Sequence, residues 1–324
     1  MVTQMHPNLR LVSADITPEN FLDDLEEMVG ALGVHDSIRQ LAMFRNYKVL
    51  RQNGVKVALT GEGADEFNWG YWHKFPGLKL DQEACKDGGS FRKLIAGRGD
   101  FVRALIAKGK RKEIDFDGDT NGLLEIYNGF KTNDSRKKMM GVYATDFLAF
   151  LNKANDRCGM ANSIESRCPF QDVNVIETCL NIPREYQIRG ESEKEVLRES
   201  FKEILPAQVY RRAKAPLPAA SHLDYHRQIA REFDKRIEST DSSFWKYFDR
   251  DAFSQMAKSY NGKINYLGRT YRSPDEAGAE LVKWRPIGER ARIIDGTGLR
   301  TNDVFKLLTA MVWYNQNMKG GARR

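Results

Sequence analysis

The chain has 324 residues, 41% hydrophobic and 29% charged, a balance that excludes disordered, collagen-like and membrane-embedded classes. Its formal net charge of +7 arises from 51 basic residues scattered among 44 acidic ones, which leaves no concentrated basic stripe for a nucleic acid. No run approaches the roughly 18 consecutive apolar residues of a membrane span, and Met1 to Asp15 lacks the apolar core of a signal peptide, so a cytoplasmic setting is expected. At roughly 100–200 residues per domain, the length allows one large domain or two ordinary ones.

In chain order, Asn8 to Ala14 alternate apolar and polar side chains, and Thr17-Pro18-Glu19 then reads as a helix start, with cap, first-turn proline and first-turn acid. Phe21, Leu22, Leu25, Met28, Val29 and Leu32 follow at helical spacing up to Gly33. A second helical pattern runs from Ser37 through Leu41 and Leu50 to Asn53-Gly54. Val55-Lys56-Val57-Ala58-Leu59 is then expected to be a buried strand. Farther on, Phe91 to Ala107, Lys137 to Asn155, Lys194 to Ile204, His222 to Ile237 and Asp303 to Met318 read as helices. The chain is thus α/β early and mostly α later, with the end from Lys319 expected to fray.

Helix followed by strand and glycine-bearing turn suits a parallel α/β sheet, whose ligands bind at the carboxyl ends of strands. The segment in that position, Thr60-Gly61-Glu62-Gly63-Ala64-Asp65-Glu66, holds three carboxylates and two glycines. The glycines permit close approach of backbone N–H groups to a ligand, and the acids suit Mg²⁺ or a proton. A solvated acidic turn has the same composition.

Val57 to Glu66, followed by Gly70-Tyr71, resembles the VVLSGEGADE…GY signature of the synthetase domain of the asparagine synthetase family, which includes β-lactam synthetases and lasso-peptide cyclases. Asp156-Arg157, Met160-Ala161, Ser163-Ile164-Glu165, Arg167, Pro169-Phe170 and Asp172 are similar to its DRMSMAxSLExRVPFLD block. Pro183, Lys194, Leu197-Arg198, Leu205-Pro206 and Arg212-Ala213-Lys214 are similar to its KxxLRxxxxxxLP and RxK elements. The resemblance runs from about Leu9 to Tyr314, and it sets the expected organisation as a synthetase domain over 1–316 and a flexible tail over 317–324.

The resemblance implies an adenine nucleotide α-hydrolase-like parallel sheet of the ATP-pyrophosphatase type, N-terminally incomplete and followed by a mostly helical region. It further implies ATP-dependent activation of a carboxylate as its acyl-adenylate, with release of pyrophosphate, and attack by ammonia or an amine. By matching position, Glu62 corresponds to the family's catalytic glutamate, Asp65 to a magnesium ligand, and Lys194 to the lysine that neutralises the departing phosphate. Thr60, Gly61 and Gly63 fall in the nucleotide-binding turn. Ile38-Arg39 resembles the pair whose arginine grips the aspartate substrate in asparagine-forming members, which tilts the expected acid toward aspartate or a related amino acid. ATP and Mg²⁺ are the implied cofactors.

The chain departs from the family in lacking an SGGxDS loop, the element that cradles pyrophosphate, and the glutaminase domain with its N-terminal cysteine; Val2 follows Met1. The expectation is one half of a split synthetase whose partner chain supplies the SGGxDS loop and the glutaminase. A fragment of a longer protein, and a non-catalytic binding or scaffold subunit, are the alternatives. Asn68-Trp69 replaces a phenylalanine-glycine pair, Cys158 and Cys168 replace methionine and valine, and Gln171 replaces leucine and needs a hydrogen-bond partner if buried.

Other patterns carry less. Asp117 to Leu124 matches the first half of an EF-hand loop but places Asn128 where the closing glutamate belongs, so a polar loop is expected. His222 and His226 lack a third zinc ligand, and Cys85, Cys158, Cys168 and Cys179 form no CxxC pair, which fits reduced, mostly buried thiols. Trp69, Trp72, His73 and Phe75 form an aromatic cluster suited equally to a substrate entrance or to a core.

Overall fold

Chain entry is set by a turn. In this computed structural model, which describes residues 8–35, 37–70, 88–95, 103–187, 193–211, 223–260, 264–266, 269–271 and 301–318, Thr17 and Asn20 bond reciprocally, with Thr17 N–H donating to Asn20 Oδ1 at 2.9 Å. The helix start expected at Thr17-Pro18-Glu19 is instead a run of turns through Phe21 and Leu22, and helix α1, Leu25–Leu32, begins only after it; it buries Leu25, Met28, Val29 and Leu32 and ends at Gly33, whose φ of 80° a side chain would resist. Helix α2, Arg39–Gln52, buries Leu41, Phe44 and Tyr47 and gives way through Gly54 to strand β1, Val57–Leu59. The short helix α3, Ala64–Phe67, opens within the acidic segment and carries Asp65 and Glu66 in its first turn.

A helical layer comes next: α4, Gly88–Ile95; α5, Gly118–Gly129; α6, Ser135–Val142; a π-helical turn, Tyr143–Phe147; and α7, Leu148–Ala161. Strand β2, Glu165–Arg167, then pairs parallel with β1, Val57 opposite Glu165 and Leu59 opposite Arg167. Helices α8, Val173–Asn181, α9, Arg184–Gln187, α10, Glu195–Phe201, and α11, Ala207–Tyr210, follow. The rest is α12, Leu223–Ser239, α13, Arg250–Ser259, the antiparallel pair β3, Ile264–Tyr266, and β4, Arg269–Tyr271, and α14, Thr301–Asn317. The fold is mixed α/β, a small parallel sheet among many helices.

The main core joins the two ends of the sequence. Phe233 and Ile237 of α12, Phe305, Leu308 and Met311 of α14, Met28 and Val29 of α1, and Phe44 of α2 are all buried in one cluster. Each large apolar side chain removed from water contributes about 1.5–3 kcal/mol. Thr309 locks α14 to the loop between α1 and α2, its hydroxyl accepting from His35 N–H (3.0 Å) and lying 2.8 Å from His35 carbonyl oxygen. A smaller core holds α4, α5 and α6 together, with Phe91 stacked on Tyr127 at 4.4 Å between ring centroids.

Further expectations change. β1 is not buried: Ala58 packs against the core, but Val57 is 41% and Leu59 74% exposed. The stretch expected to be a polar loop at Asp117 to Leu124 forms α5, because Leu123 and Tyr127 are one turn apart and both bury against Phe91 and Met139. The single helix read over Lys137 to Asn155 is broken by the π-helical turn, near which Thr145 Oγ1 donates to Gly141 O at 2.7 Å and the Phe130 ring lies where a Cβ on Gly141 would be. Likewise the helix read through Ala107 has ended by Ile106, which bridges to Phe248. Trp72, His73, Phe75, Cys85, His222, Arg212 to Lys214 and the end from Lys319 lie outside the described residues. Of the other cysteines, Cys158 and Cys179 are buried, Cys168 is partly so, and all three are free thiols.

Candidate active site at the carboxyl ends of the parallel strands

Parallel pairing of β1 and β2 sets the loops that leave them side by side, Thr60 to Gly63 against Cys168 to Asp172. Thr60 N–H donates to Arg167 O at 2.8 Å, and the Thr60 hydroxyl lies 3.2 Å from Asn155 Nδ2 and 3.3 Å from Cys168 Sγ. Beneath them the Tyr47 hydroxyl from α2 reaches Asn155 Oδ1 at 2.5 Å and Ser166 Oγ at 3.1 Å, and Asn155 Nδ2 donates to Ser166 Oγ at 2.8 Å. One buried polar network therefore fixes both strand ends to α2 and α7. It contains Tyr47 and Asn155, residues that sequence reasoning passed over, since an asparagine within a helical pattern gives no sign of what it faces.

Gly63 adopts φ 97°, a left-handed conformation that favours glycine, and a Cβ there would lie 2.8 Å from Gln171 Cγ. Its N–H donates to the buried Glu66 carboxylate at 3.0 Å, which closes the first turn of α3. Gln171, the residue in need of a partner, has several: its Oε1 accepts from Asn152 Nδ2 at 2.7 Å, and its Nε2 donates to Asn152 Oδ1 at 2.8 Å and to Glu62 O at 3.2 Å. Replacement of an apolar residue by Gln171 is thereby accommodated by Asn152 one helix away. Gly61 differs from Gly63 in facing open space.

Glu62 holds its proton more tightly than an ordinary glutamate. Burial is the leading cause, the neighbouring Glu66 and Asp65 charges add to it, and the Arg39 guanidinium opposes it. Arg39 of α2 and Glu62 thus share one electrostatic neighbourhood. Asp65 takes a different partner: its Oδ1 lies 2.8 Å from Lys194 Nζ, both side chains being about three-quarters buried, at 26% and 23% exposure. Lys194 immediately precedes α10 and has φ 59°, a conformation rare for a residue with a side chain. Arg198 anchors that helix start through Glu193 O at 2.8 Å and through Tyr210 O.

The main chain also packs against Asp65. Gly70 N–H donates to Asp65 O at 2.9 Å, and a Cβ on Gly70 would sit 1.8 Å from Asp65 Oδ1, so any side chain there displaces the carboxylate. The structure brings Arg39, Glu62, Asp65 and Lys194 together across more than 150 residues of sequence. Thr60 and Gly63 flank them, with their N–H groups engaged within the fold.

The family model for asparagine synthase matches residues 6–282. The chain belongs to the asparagine synthase family. Within it, the chain is 27% identical over 274 residues to asparagine synthetase [glutamine-hydrolyzing] 3 of Bacillus subtilis, an alignment covering 80% of this chain and 42% of that protein. It is 26% identical over 243 residues to asparagine synthetase [glutamine-hydrolyzing] 1 of the same organism, covering 64% of this chain and 37% of that protein. The chain therefore spans about two fifths of the length of these family members. Among the described residues no helix is long and apolar enough to cross a membrane.

Proposed function

We propose that the chain carries the carboxyl-terminal greater part of a synthetase domain with an adenine nucleotide α-hydrolase-like fold, and that it forms amide bonds at the expense of ATP. The substrate carboxylate attacks the α-phosphorus, pyrophosphate leaves, and ammonia or an amine then attacks the acyl carbon to expel AMP. The observation that carries this reading is the Lys194–Asp65 pair at 2.8 Å beside Glu62, a cation, an anion and a proton-avid carboxylate drawn from distant parts of the sequence.

Glu62 accepts the proton that the nitrogen nucleophile loses, a task suited to a carboxyl whose proton affinity is raised. Lys194 stabilises negative charge on the departing pyrophosphate, an interaction that grows as the bond breaks. Arg39 grips the carboxylate of an acidic amino acid such as aspartate. Gly61, open on its exposed side, admits the nucleotide, and Thr60 and Gly63 hold the turn that presents it.

Magnesium fits this arrangement at Asp65, whose carboxylate already attracts a cation; Mg²⁺ is commonly held by one or two carboxylates with phosphates and water completing the shell. Bound there, the ion would neutralise phosphate charge. Among the described residues no three His, Cys, Asp or Glu side chains form a metal cage, consistent with ligands drawn largely from ATP.

A companion polypeptide supplies the SGGxDS loop and the glutaminase. The open edge of β1 supports this reading: Thr60 N–H and Lys56 O point to β2, so by strand alternation the Val57 and Leu59 backbone groups point away from it. Co-expression with an SGGxDS-bearing chain, followed by pyrophosphate release with candidate acids, tests the function. Release should fall at least about a hundredfold with Glu62→Gln and with Lys194→Ala. Equal release in both variants removes the assigned roles, and no release from any assembled complex favours a binding or scaffold subunit.

A further inference from the structure

Two asparagines on one face of α7 reach the turn that carries Glu62. Asn155 Nδ2 meets the Thr60 hydroxyl at 3.2 Å, and three residues earlier Asn152 pairs with Gln171, whose Nε2 donates to Glu62 O at 3.2 Å. A carbonyl oxygen only accepts, so the Gln171 atom that meets Glu62 O is its nitrogen, and the orientation of both paired amides follows from that. Both N–H bonds of Gln171 Nε2 are thereby used, one on Asn152 Oδ1 and one on Glu62 O.

The Glu62 carbonyl and the Gly63 N–H belong to one planar peptide group. Gln171, on the loop leaving β2, holds its oxygen, and the Glu66 carboxylate of α3 holds its N–H at 3.0 Å. Gly63 lies at φ 97°, and a glycine lets such a plane rotate at little steric cost, so the turn has no stiffness of its own here. The stem of Gln171 also packs on this glycine, its Cγ 2.8 Å from where a Cβ would lie. Freedom of the plane is freedom of the Glu62 Cα, and a displacement of even about 1 Å at a reacting group is costly in rate.

Cohesion alone does not call for the amides. Replacing both partners of a hydrogen-bonded pair by apolar groups of like shape is nearly neutral, and the family pattern has leucine in place of Gln171. What leucine lacks is a donor for Glu62 O. The satisfied amide pair supplies direction, tying the catalytic turn to α7 in one orientation.

We propose that Gln171, oriented by Asn152, is a positioning residue that aims the Glu62 carboxylate by clamping the Glu62–Gly63 peptide. The inference rests on the reading of Glu62 as the group that takes the proton from the nitrogen nucleophile. Its loss therefore falls on amide formation and spares adenylation.

The test variant joins Asn152→Leu to Gln171→Met, which removes both amides but keeps the bulk of one side chain and the straight stem of the other. In the purified chain its thermal midpoint should be unchanged. Hydrogen exchange over Thr60 to Phe67, read by mass spectrometry, should quicken about tenfold while α14 exchanges as in wild type. In the complex with an SGGxDS-bearing chain, exchange of labelled pyrophosphate into ATP should be unchanged, and amide formation should fall about tenfold with KM for ATP and acid unaltered. Gln171→Met alone should show the same split. The proposal is overturned by unchanged exchange over Thr60 to Phe67, by a lowered midpoint with exchange quickened throughout the chain, or by equal loss of both half-reactions. A wild-type complex that forms no amide removes the ligase reading instead, and hydrogen exchange of the chain alone then decides the clamp.

Discussion

Glu62 sits where its own charge is unwelcome, and that has a consequence for stability as well as for chemistry. Because its proton affinity is raised in the folded state, chiefly by burial and then by Glu66 and Asp65, the folded chain binds more protons there than the unfolded chain. Stability from this group is therefore fully present below the ordinary value of 4.5 and is lost as pH rises through the higher folded value. Glu62→Gln removes the ionised form, so the variant should melt above wild type at pH 7, with the difference closing at pH 4. Thermal melts at the two pH values check this without any assay of activity, and a variant less stable at pH 7 contradicts the sign. The same residue shows what was legible. Its position in a glycine-bearing acidic turn could be read directly, but the pairing of the neighbouring Asp65 with Lys194 could not. As one lysine in a helical pattern, Lys194 has no feature of its own; three-dimensional placement beside Asp65 gives it one.

Elements with regular apolar spacing were legible nearly to their ends. α2 spans Arg39–Gln52 within the pattern from Ser37 to Asn53-Gly54, and α14 spans Thr301–Asn317 against a reading of Asp303 to Met318. α5 was not, because Gly118, Asn121 and Gly122 are poor helix formers and only burial against α4 and α6 overrides them. Charge pairs between elements are also invisible to spacing. Asp24, 6% exposed just before α1, accepts from Arg45 Nε at 2.6 Å and Lys48 Nζ at 2.9 Å on α2. Burial pushes its proton affinity up, but the bonds to Arg45 and Lys48 outweigh burial and hold the carboxyl below its usual range. Its stabilising contribution is therefore present above the ordinary value of 3.8 and lost as pH falls through the lower folded value. Asp24→Asn leaves the largely buried Arg45 with only the exposed Asp23 carboxylate at 4.0 Å as counter-ion and should cost about 2–3 kcal/mol at pH 7 in urea unfolding. The gap to wild type should narrow below pH 3.8.

At the scale of the whole molecule, the exposed strand is the feature that composition and periodicity read wrongly. An apolar, β-branched run predicts burial because parallel strands are normally covered on both faces, and that rule holds for complete sheets. Here the sheet that contains β1 has two strands among the described residues. Ala58 and Ser166 face the core side, while Val57 and Leu59 share the outer face with the exposed ion pair of Glu165 and Arg167 at 2.9 Å. The burial written into the sequence thus suits a larger sheet than the two strands among the described residues. An isolated parallel pair is marginal, and an open apolar edge invites another strand, so on the proposal of a split synthetase a companion bearing SGGxDS would extend the sheet along β1. Leu59→Glu probes that seam with little effect on the chain itself, because a 74% exposed side chain changes stability by only about 0.5 kcal/mol. The variant should keep its thermal midpoint alone and elute separately from the companion in gel filtration, whereas wild type elutes with it. Undiminished association of Leu59→Glu would place the contact away from β1, while failure of wild type to associate at all would count against the split enzyme rather than against the edge.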